Sequence, residues 1–310
     1  MQNEILNSNI NFKNTLLPKL NGHTAHSETG NGIQKNHLPE ILFITSYPPR
    51  ECGIATYSQD LVIALNNKFH QSFKISICAI ESEQEQYVYD DTVKYTLNSD
   101  SPLSYYTLAK QINADDAITT VLLQHEFGLF DKASSHFNSF LQLLTKPVVM
   151  VFHTVLPAPD LLLKINVQEI VGAASAIIIM TNASAKILMD DYAVSKELIT
   201  VIPHGTHLVL HSDKLLLKQK YHLEGKKVLT TFGLLSSGKS IETTLLALPS
   251  IVKLYPDIMF LVIGKTHPSV VKQEGYYYRN LLDKMVRELH LEQHVKYINC
   301  YLPLPELLEY

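Results

Sequence analysis

In a chain that alternates short apolar runs with helix-length segments, chemistry belongs to the residues just after the runs. Ligands of open parallel sheets bind beyond the carboxyl ends of the strands. Arg50, Gly53, His125, Glu126, His153, His204 and the loop from Gly233 to Lys239 all stand in such places. His153 closes the apolar run Val148-Val-Met-Val-Phe152. An imidazole there can hydrogen-bond a hydroxyl or a phosphate at neutral pH, and a histidine bonded to backbone at a strand end would read the same way. Arg50 offers an anion contact or a solvated loop charge. Gly53 lies at the mouth of a helix, where the missing Cβ lets a ligand approach the backbone. Unpaired N–H groups and the positive end of the helix dipole favour phosphate or carboxylate at that point, although a capped strand-to-helix turn needs no ligand. His125, Glu126, His153 and His204 are metal-type donors, but they come from separate loops without a paired spacing such as H-x-x-x-H, so no metal is assigned.

The segment Gly233-Leu-Leu-Ser-Ser-Gly-Lys-Ser240 matches the phosphate-loop pattern G-x-x-x-x-G-K-[ST] and sits between a strand and a helix. On that reading the chain hydrolyses nucleotides with magnesium. The neighbouring run 258–263, however, ends in Gly264 and Lys265 rather than in the aspartate that would hold the ion. Lys239 then reads as a diphosphate contact, with Gly233 and Gly238 as glycines of the same ligand-binding loop. A bare lysine at a helix start would oppose the dipole.

The elements that must position these residues follow from periodicity. Ile41-Leu-Phe-Ile44 is long enough for a strand buried on both faces, and Tyr47-Pro-Pro49 breaks it. From Ile54 the apolar positions Ile54, Tyr57, Leu61, Val62 and Leu65 take helical spacing. Further strands are expected over 73–80, 93–97 (at an edge), 119–123, 147–152, 176–180 and 198–202. Helices are expected over 103–113, 134–144, up to 173, and 183–192 with Asn182 as cap. After 206–225, a charged linker with one helix, the alternation restarts: strands 228–232, 258–263 and 295–298, and helices on the Ile241, Leu245, Leu248 face, over 280–289, and from 305. Such alternation implies α/β architecture, with parallel, doubly wound sheets. Residues 40–205 form a first domain and 226–310 a second, thin one that stops in mid-domain. Residues 1–39, rich in Asn, His, Gly and Lys and without either period, read as a disordered leader.

Composition sets limits. The chain has 310 residues, 46% hydrophobic and 18% charged, with a net charge of −4, so length favours about two domains and nothing implies nucleic acid. The longest apolar stretch, near 173–180, is far short of the ~20 residues that span a bilayer. No secretory pattern opens the chain, and its three cysteines are too scattered for a disulfide framework, which fits a reducing cytoplasm.

The stretches Ser46-Tyr-Pro-Pro-Arg-Glu-Cys-Gly-Ile-Ala-Thr56, Gln124-His-Glu-Phe-Gly128, Phe152-His-Thr-Val155, Val201-Ile-Pro-His-Gly205 and Phe232-Gly-Leu-Leu-Ser-Ser-Gly-Lys239 together resemble the retaining glycosyltransferases of family 4. The likeness covers residues 40–310. It implies a GT-B fold, two Rossmann-like domains facing a cleft, the second incomplete here. It implies transfer of a sugar from a nucleotide-sugar donor to an acceptor, expected to be carbohydrate, with retention and without a cofactor or divalent metal. His153 matches the family's histidine near the transferred sugar, Lys239 its diphosphate-binding lysine, and Gly53 its glycine loop near donor and acceptor; Arg50, His125, Gly233 and Gly238 join them as binding residues. Leu234 and Leu235 stand where many members carry an arginine. The family's glutamate pair and its last helix would lie beyond residue 310, so the resemblance implies a truncated chain of weak activity, or a non-catalytic sugar-nucleotide-binding module.

Overall fold

A computed structural model describes residues 38–310 except 70–71, 131–133, 208 and 210–211. The expected leader therefore lies almost wholly outside the described residues. The chain opens with β1 (Glu40–Thr45) and α1 (Gly53–Phe69), followed by β2 (Lys74–Glu81), β3 (Val93–Asn98), α2 (Pro102–Ala114) and β4 (Ile118–His125). Then come α3 (Phe127–Phe130), α4 (Ser134–Leu143), β5 (Val148–Phe152), α5 (Leu161–Gly172), β6 (Ala176–Ile179), α6 (Asn182–Asp190) and β7 (Ile199–Val201). All seven strands pair in parallel in the order β3-β2-β1-β4-β5-β6-β7, a doubly wound arrangement that leaves β3 at an edge, as expected.

Strand periodicity explains why helices cover both faces. Leu42 and Ile44 of β1 turn to one face, where Val121, Leu123, Met150 and Phe152 meet Tyr105, Leu108 and Ile112 of α2 and Phe137 and Phe140 of α4. Phe43 turns to the other face with Ile77 and Ala79, against Leu61, Val62 and Leu65 of α1. The expected helical face thus holds for Leu61, Val62 and Leu65, whereas Ile54 and Tyr57 leave it for the site described below. The cap of α6 is Thr181, whose hydroxyl accepts from the Ser184 amide, rather than Asn182.

The region expected as a linker holds α7 (Lys214–Lys220). Then follow β8 (Lys227–Phe232), α8 (Ile241–Leu254), β9 (Ile258–Ile263), α9 (Pro268–Glu274), α10 (Tyr277–Glu288), β10 (Val295–Ile298) and α11 (Leu304–Leu307). β8, β9 and β10 form a second parallel sheet in the order β10-β9-β8. Phe260 and Val262 pack on Leu245, Leu248 and Leu282, while Leu261 and Ile263 face Leu223 and its neighbours. α9 was not legible in the sequence, and α10 begins three residues earlier than periodicity indicated. Among the described residues no helix is long and apolar enough to cross a membrane.

Candidate functional site

The turn after β1 is the hub of the site. Thr45 Oγ1 meets Ser58 Oγ at 2.6 Å, Ser46 Oγ meets Cys52 Sγ at 3.1 Å, and the Ala55 amide donates to Cys52 Sγ at 3.3 Å, fastening the turn to the first turn of α1. Pro49, Arg50, Glu51, Cys52 and Gly53 form a wall shared by two cavities of about 790 and 670 Å³. A Cβ built on Gly53 would meet nothing within 4 Å. The fold itself therefore does not require glycine there, and the space left by the missing side chain belongs to the cavities.

The first cavity lies beyond the carboxyl ends of β4, β5 and β7. His153 Nε2 is 2.7 Å from Gln124 Oε1, and the His153 ring stands edge-on to Tyr57 with centroids 5.0 Å apart. Tyr57 makes the same edge-on contact with His204 at 5.1 Å, and the two imidazole centroids are 6.3 Å apart, so the three rings form one cluster. Burial, and then the nearby His204, bring the pKa of His153 down to about 4. Its ring is neutral at physiological pH, able to accept or donate a hydrogen bond but not to supply a charge. Glu126 also lines this cavity; its carboxylate accepts from Thr154 Oγ1 at 2.5 Å and from the Phe127 amide at 3.1 Å.

His125 is placed differently from the sequence reading. β4 runs two residues beyond its expected end, and strand alternation sends Gln124 toward His153 and His125 to the opposite face. There His125 is 1% exposed, among Phe127, Phe130, Phe137 and Phe152, and its Nδ1 has no hydrogen-bond partner. It is a core residue, not a cavity wall. Burial, with His153 secondary, pushes its pKa down to about 3.

The second cavity lies between the turn after β1 and the carboxyl end of β8. Gly233, Leu234, Ser236 and Lys239 line one side, with Cys300, Tyr301 and Leu302 beyond them. Gly238 belongs to the loop but not to this lining. Gly233 has φ 124° and Gly264 has φ 133°, and a Cβ on Gly264 would sit 1.9 Å from the Gly233 carbonyl oxygen, so only glycine lets these backbones pass.

The hydrogen bonding of this loop argues against a phosphate loop. The amides of Gly233, Leu235, Lys239 and Ser240 donate to Ile263, Lys265, Ser236 and Ser237 carbonyls, so they cannot cradle phosphates. The first amide of α8, Ile241, donates to the Tyr278 hydroxyl, which donates in turn to the Glu242 carboxylate. A helix start occupied by an internal oxygen and followed by a carboxylate is a poor anion site. Lys239, exposed at the cavity wall, and the start of α1 remain the features able to meet a diphosphate.

Arg50 is neither solvated nor free. Its guanidinium donates to the Ile80 carbonyl and pairs with Glu85 at 3.2 Å, while Lys272 of α9 reaches Glu85 from the other side at 2.9 Å. Burial alone would raise the pKa of Glu85, but the Lys272 hydrogen bond and the Arg50 charge hold it below the usual range. Glu51 pairs with Lys265, and Thr56 Oγ1 lies 3.2 Å from the Tyr301 hydroxyl. These contacts tie the turn after β1 to segments that follow β9 and β10. Among the described residues no group of three His, Cys, Asp or Glu is placed to hold a metal ion. Tyr57, Glu85, His267 and Tyr301 line the cavities without having been picked out as site residues; only the position of Tyr57, one turn beyond Gly53 on α1, was a usable signal.

No protein-family model matches the chain, and no curated protein matches it in sequence. Solved structures do match in fold. HepE from Anabaena, in complex with UDP and glucose, is 17% identical with a TM-score of 0.56, over 87% of this chain and 71% of its own. A trehalose-6-phosphate structure from E. coli bound with UDP-2-fluoro glucose is 12% identical with a TM-score of 0.60, over 87% and 75%. UDP-GlcNAc 2-epimerase from Methanocaldococcus jannaschii is 13% identical with a TM-score of 0.50, over 87% and 75%. The chain has a GT-B-like fold, and at these identities the likeness is one of fold alone.

Proposed function

We propose that this protein is a glycosyltransferase of the family-4 type, moving a sugar from a nucleotide-sugar donor to a carbohydrate acceptor with retention. The observation that carries the reading is the pair of cavities on one shared wall, one faced by Lys239 and Gly233, the other by His153, Tyr57 and Glu126. The donor occupies the second cavity, its diphosphate against Lys239 and the start of α1; the acceptor occupies the first. Residues 40–205 then form the acceptor-side domain and 226–310 the donor-side domain. In the transfer the bond from the anomeric carbon to the diphosphate breaks, its electron pair leaving with the diphosphate. An acceptor hydroxyl bonds to that carbon on the same face, and its proton passes to the departing phosphate oxygen. His153, uncharged, hydrogen-bonds the transferred sugar, and fixed positive charge meets the diphosphate as it leaves without a divalent ion.

An epimerase shares this fold, so fold does not separate the two activities; the pairing of Tyr47-Pro-Pro-Arg50 with Cys52-Gly-Ile-Ala55 favours transfer. The test is thermal stability with nucleoside diphosphates, nucleotide sugars and magnesium–ATP, followed by product analysis. At a hundredfold excess over Kd a ligand adds about 2.7 kcal/mol, a rise in Tm of roughly 5–10 °C. A metal-independent rise with one diphosphate and its sugar is expected. A rise with magnesium–ATP alone, or with none of these ligands, overturns the reading.

A further inference from the structure

The hydrogen bond behind His153 decides what that residue offers to the first cavity. Strand alternation turns Gln124 of β4 toward β5, where its side chain, 0% exposed, presents Oε1 to His153 Nε2 at 2.7 Å. The His153 ring is neutral at physiological pH and so carries one proton. An amide oxygen only accepts, so that proton stands on Nε2 and donates to Gln124, and Nδ1 is left as an acceptor. Tyr57 and His204 confine the ring, with centroids 5.0 and 6.3 Å away, but neither hydrogen-bonds it, so the choice of tautomer falls to Gln124. Gln124 Nε2 is sealed without a partner, which leaves His153 as the one hydrogen-bond partner of the amide among the described residues. His153 Nδ1 also has no partner among these residues, but it is not sealed, and the space that His153 lines is the first cavity.

A bare Nδ1 accepts from a hydroxyl and offers nothing to a phosphate oxygen. Of the two ligand groups open to a histidine at a strand end, the hydroxyl remains. We infer that Gln124 is a positioning residue: it holds His153 as the Nε2–H tautomer, so that Nδ1 accepts a hydrogen bond from a hydroxyl of the sugar. The tautomer stands on the geometry, whereas the sugar rests on the transferase reading above. With the amide reversed, Nε2 would accept and Nδ1 would donate, so the position of one proton separates the two arrangements.

The experiment is nitrogen-15 NMR at pH 7 of the 310-residue chain with labelled histidine, in which a protonated ring nitrogen and a bare one give well-separated signals; His153→Ala identifies the His153 pair. The expected wild-type spectrum has Nε2 protonated and Nδ1 bare. In Gln124→Met, which nearly conserves volume but removes the acceptor, the two signals should move toward each other as both tautomers are populated. UDP-glucose or GDP-mannose should shift Nδ1 in the direction of an accepted hydrogen bond, whereas UDP, GDP and inorganic phosphate should not. Affinity for the nucleotide sugar that binds should fall on the order of tenfold in Gln124→Met, with affinity for its diphosphate unchanged. A proton on Nδ1 in the wild type, wild-type signals retained in Gln124→Met, or a bound nucleotide sugar that leaves Nδ1 unmoved overturns the inference, and the wild-type spectrum decides even where the variant does not fold. Binding of no nucleotide or nucleotide sugar refutes the transferase reading, and the sugar contact with it, while the tautomer result stands on its own.

Discussion

Two glycines on opposite sides of the second cavity should respond to the same substitution in opposite ways. At Gly264 an added Cβ falls 1.9 Å from the Gly233 carbonyl oxygen and 2.8 Å from its carbon, a backbone contact that no rotamer change relieves. The residue also has φ 133°, a conformation whose cost for a non-glycine residue is about 1–3 kcal/mol before any clash is counted. With displacement of the packed β8 loop added, Gly264→Ala should cost at least about 3 kcal/mol and lower Tm by roughly 6–12 °C. At Gly53 the added Cβ meets nothing within 4 Å, and at a helix start alanine is favoured over glycine by up to about 1 kcal/mol. Gly53→Ala should therefore leave Tm unchanged or slightly raised, yet weaken the stabilisation by a nucleoside diphosphate because the methyl group enters ligand space. Calorimetry of both variants with and without UDP makes the comparison. A loss of more than about 1 kcal/mol in free Gly53→Ala, or full retention of the ligand-induced rise, would refute the argument that its vacant space belongs to a ligand.

Other outcomes follow from the same geometry. Lys239→Ala should leave the unliganded Tm unchanged, since the side chain is exposed, and should abolish most of the diphosphate-induced rise. His125 has a folded-state pKa of about 3 against an ordinary 6.5, so between these values the unfolded chain binds a proton that the folded chain does not. Stability should fall as pH drops below 6.5, by about 1.4 kcal/mol per pH unit from this residue, and urea melts of His125→Phe at pH 7, 6 and 5 should show a shallower slope; parallel slopes would refute the assignment. At the other end of the sheet Glu40 is 3% exposed and accepts from Ser76 and Lys94, each at 2.6 Å. Burial raises its pKa, but Lys94 and Ser76 outweigh it, and the net shift is downward. Its contribution is therefore present above the ordinary carboxylate range and lost as pH falls through the lowered value. Glu40→Gln should cost about 2 kcal/mol at pH 7, between the figures for exposed and buried pairs, and much less at pH 3.

The strands were legible because a parallel sheet buries both faces, and runs such as Ile258–Ile263 announce themselves without reference to tertiary context. Helices were legible where one face is apolar, as in α8, whereas α9 (Pro-Ser-Val-Val-Lys-Gln-Glu) is too short for a period to register. Within the site, Arg50, Gly53, His153, Gly233 and Lys239 all reach a cavity wall because each follows a strand end. His125 was misjudged because β4 continues two residues past its expected end, so that strand alternation puts His125 on the same core face as Val121 and Leu123, and composition does not fix a strand's last residue. The partners of Arg50 were hidden for a different reason: Glu85 and Lys272 lie 35 and 222 positions away, and only the fold brings them together.

The wall from Pro49 to Gly53 belongs to both cavities, so neither is bounded by a surface independent of the other. A ligand that shifts this wall on one side alters the free energy of binding on the other, and thermodynamic linkage makes the effect reciprocal. The factor by which a diphosphate changes the affinity for a sugar must equal the factor by which that sugar changes the affinity for the diphosphate. With Glu51 paired to Lys265 and Arg50 to Glu85, the wall is also fastened to segments after β2 and β9, which gives that coupling a route through the ion pairs. Raised salt weakens the more exposed Glu51–Lys265 pair, so the shared factor should itself depend on ionic strength while the folds of the two sheets do not.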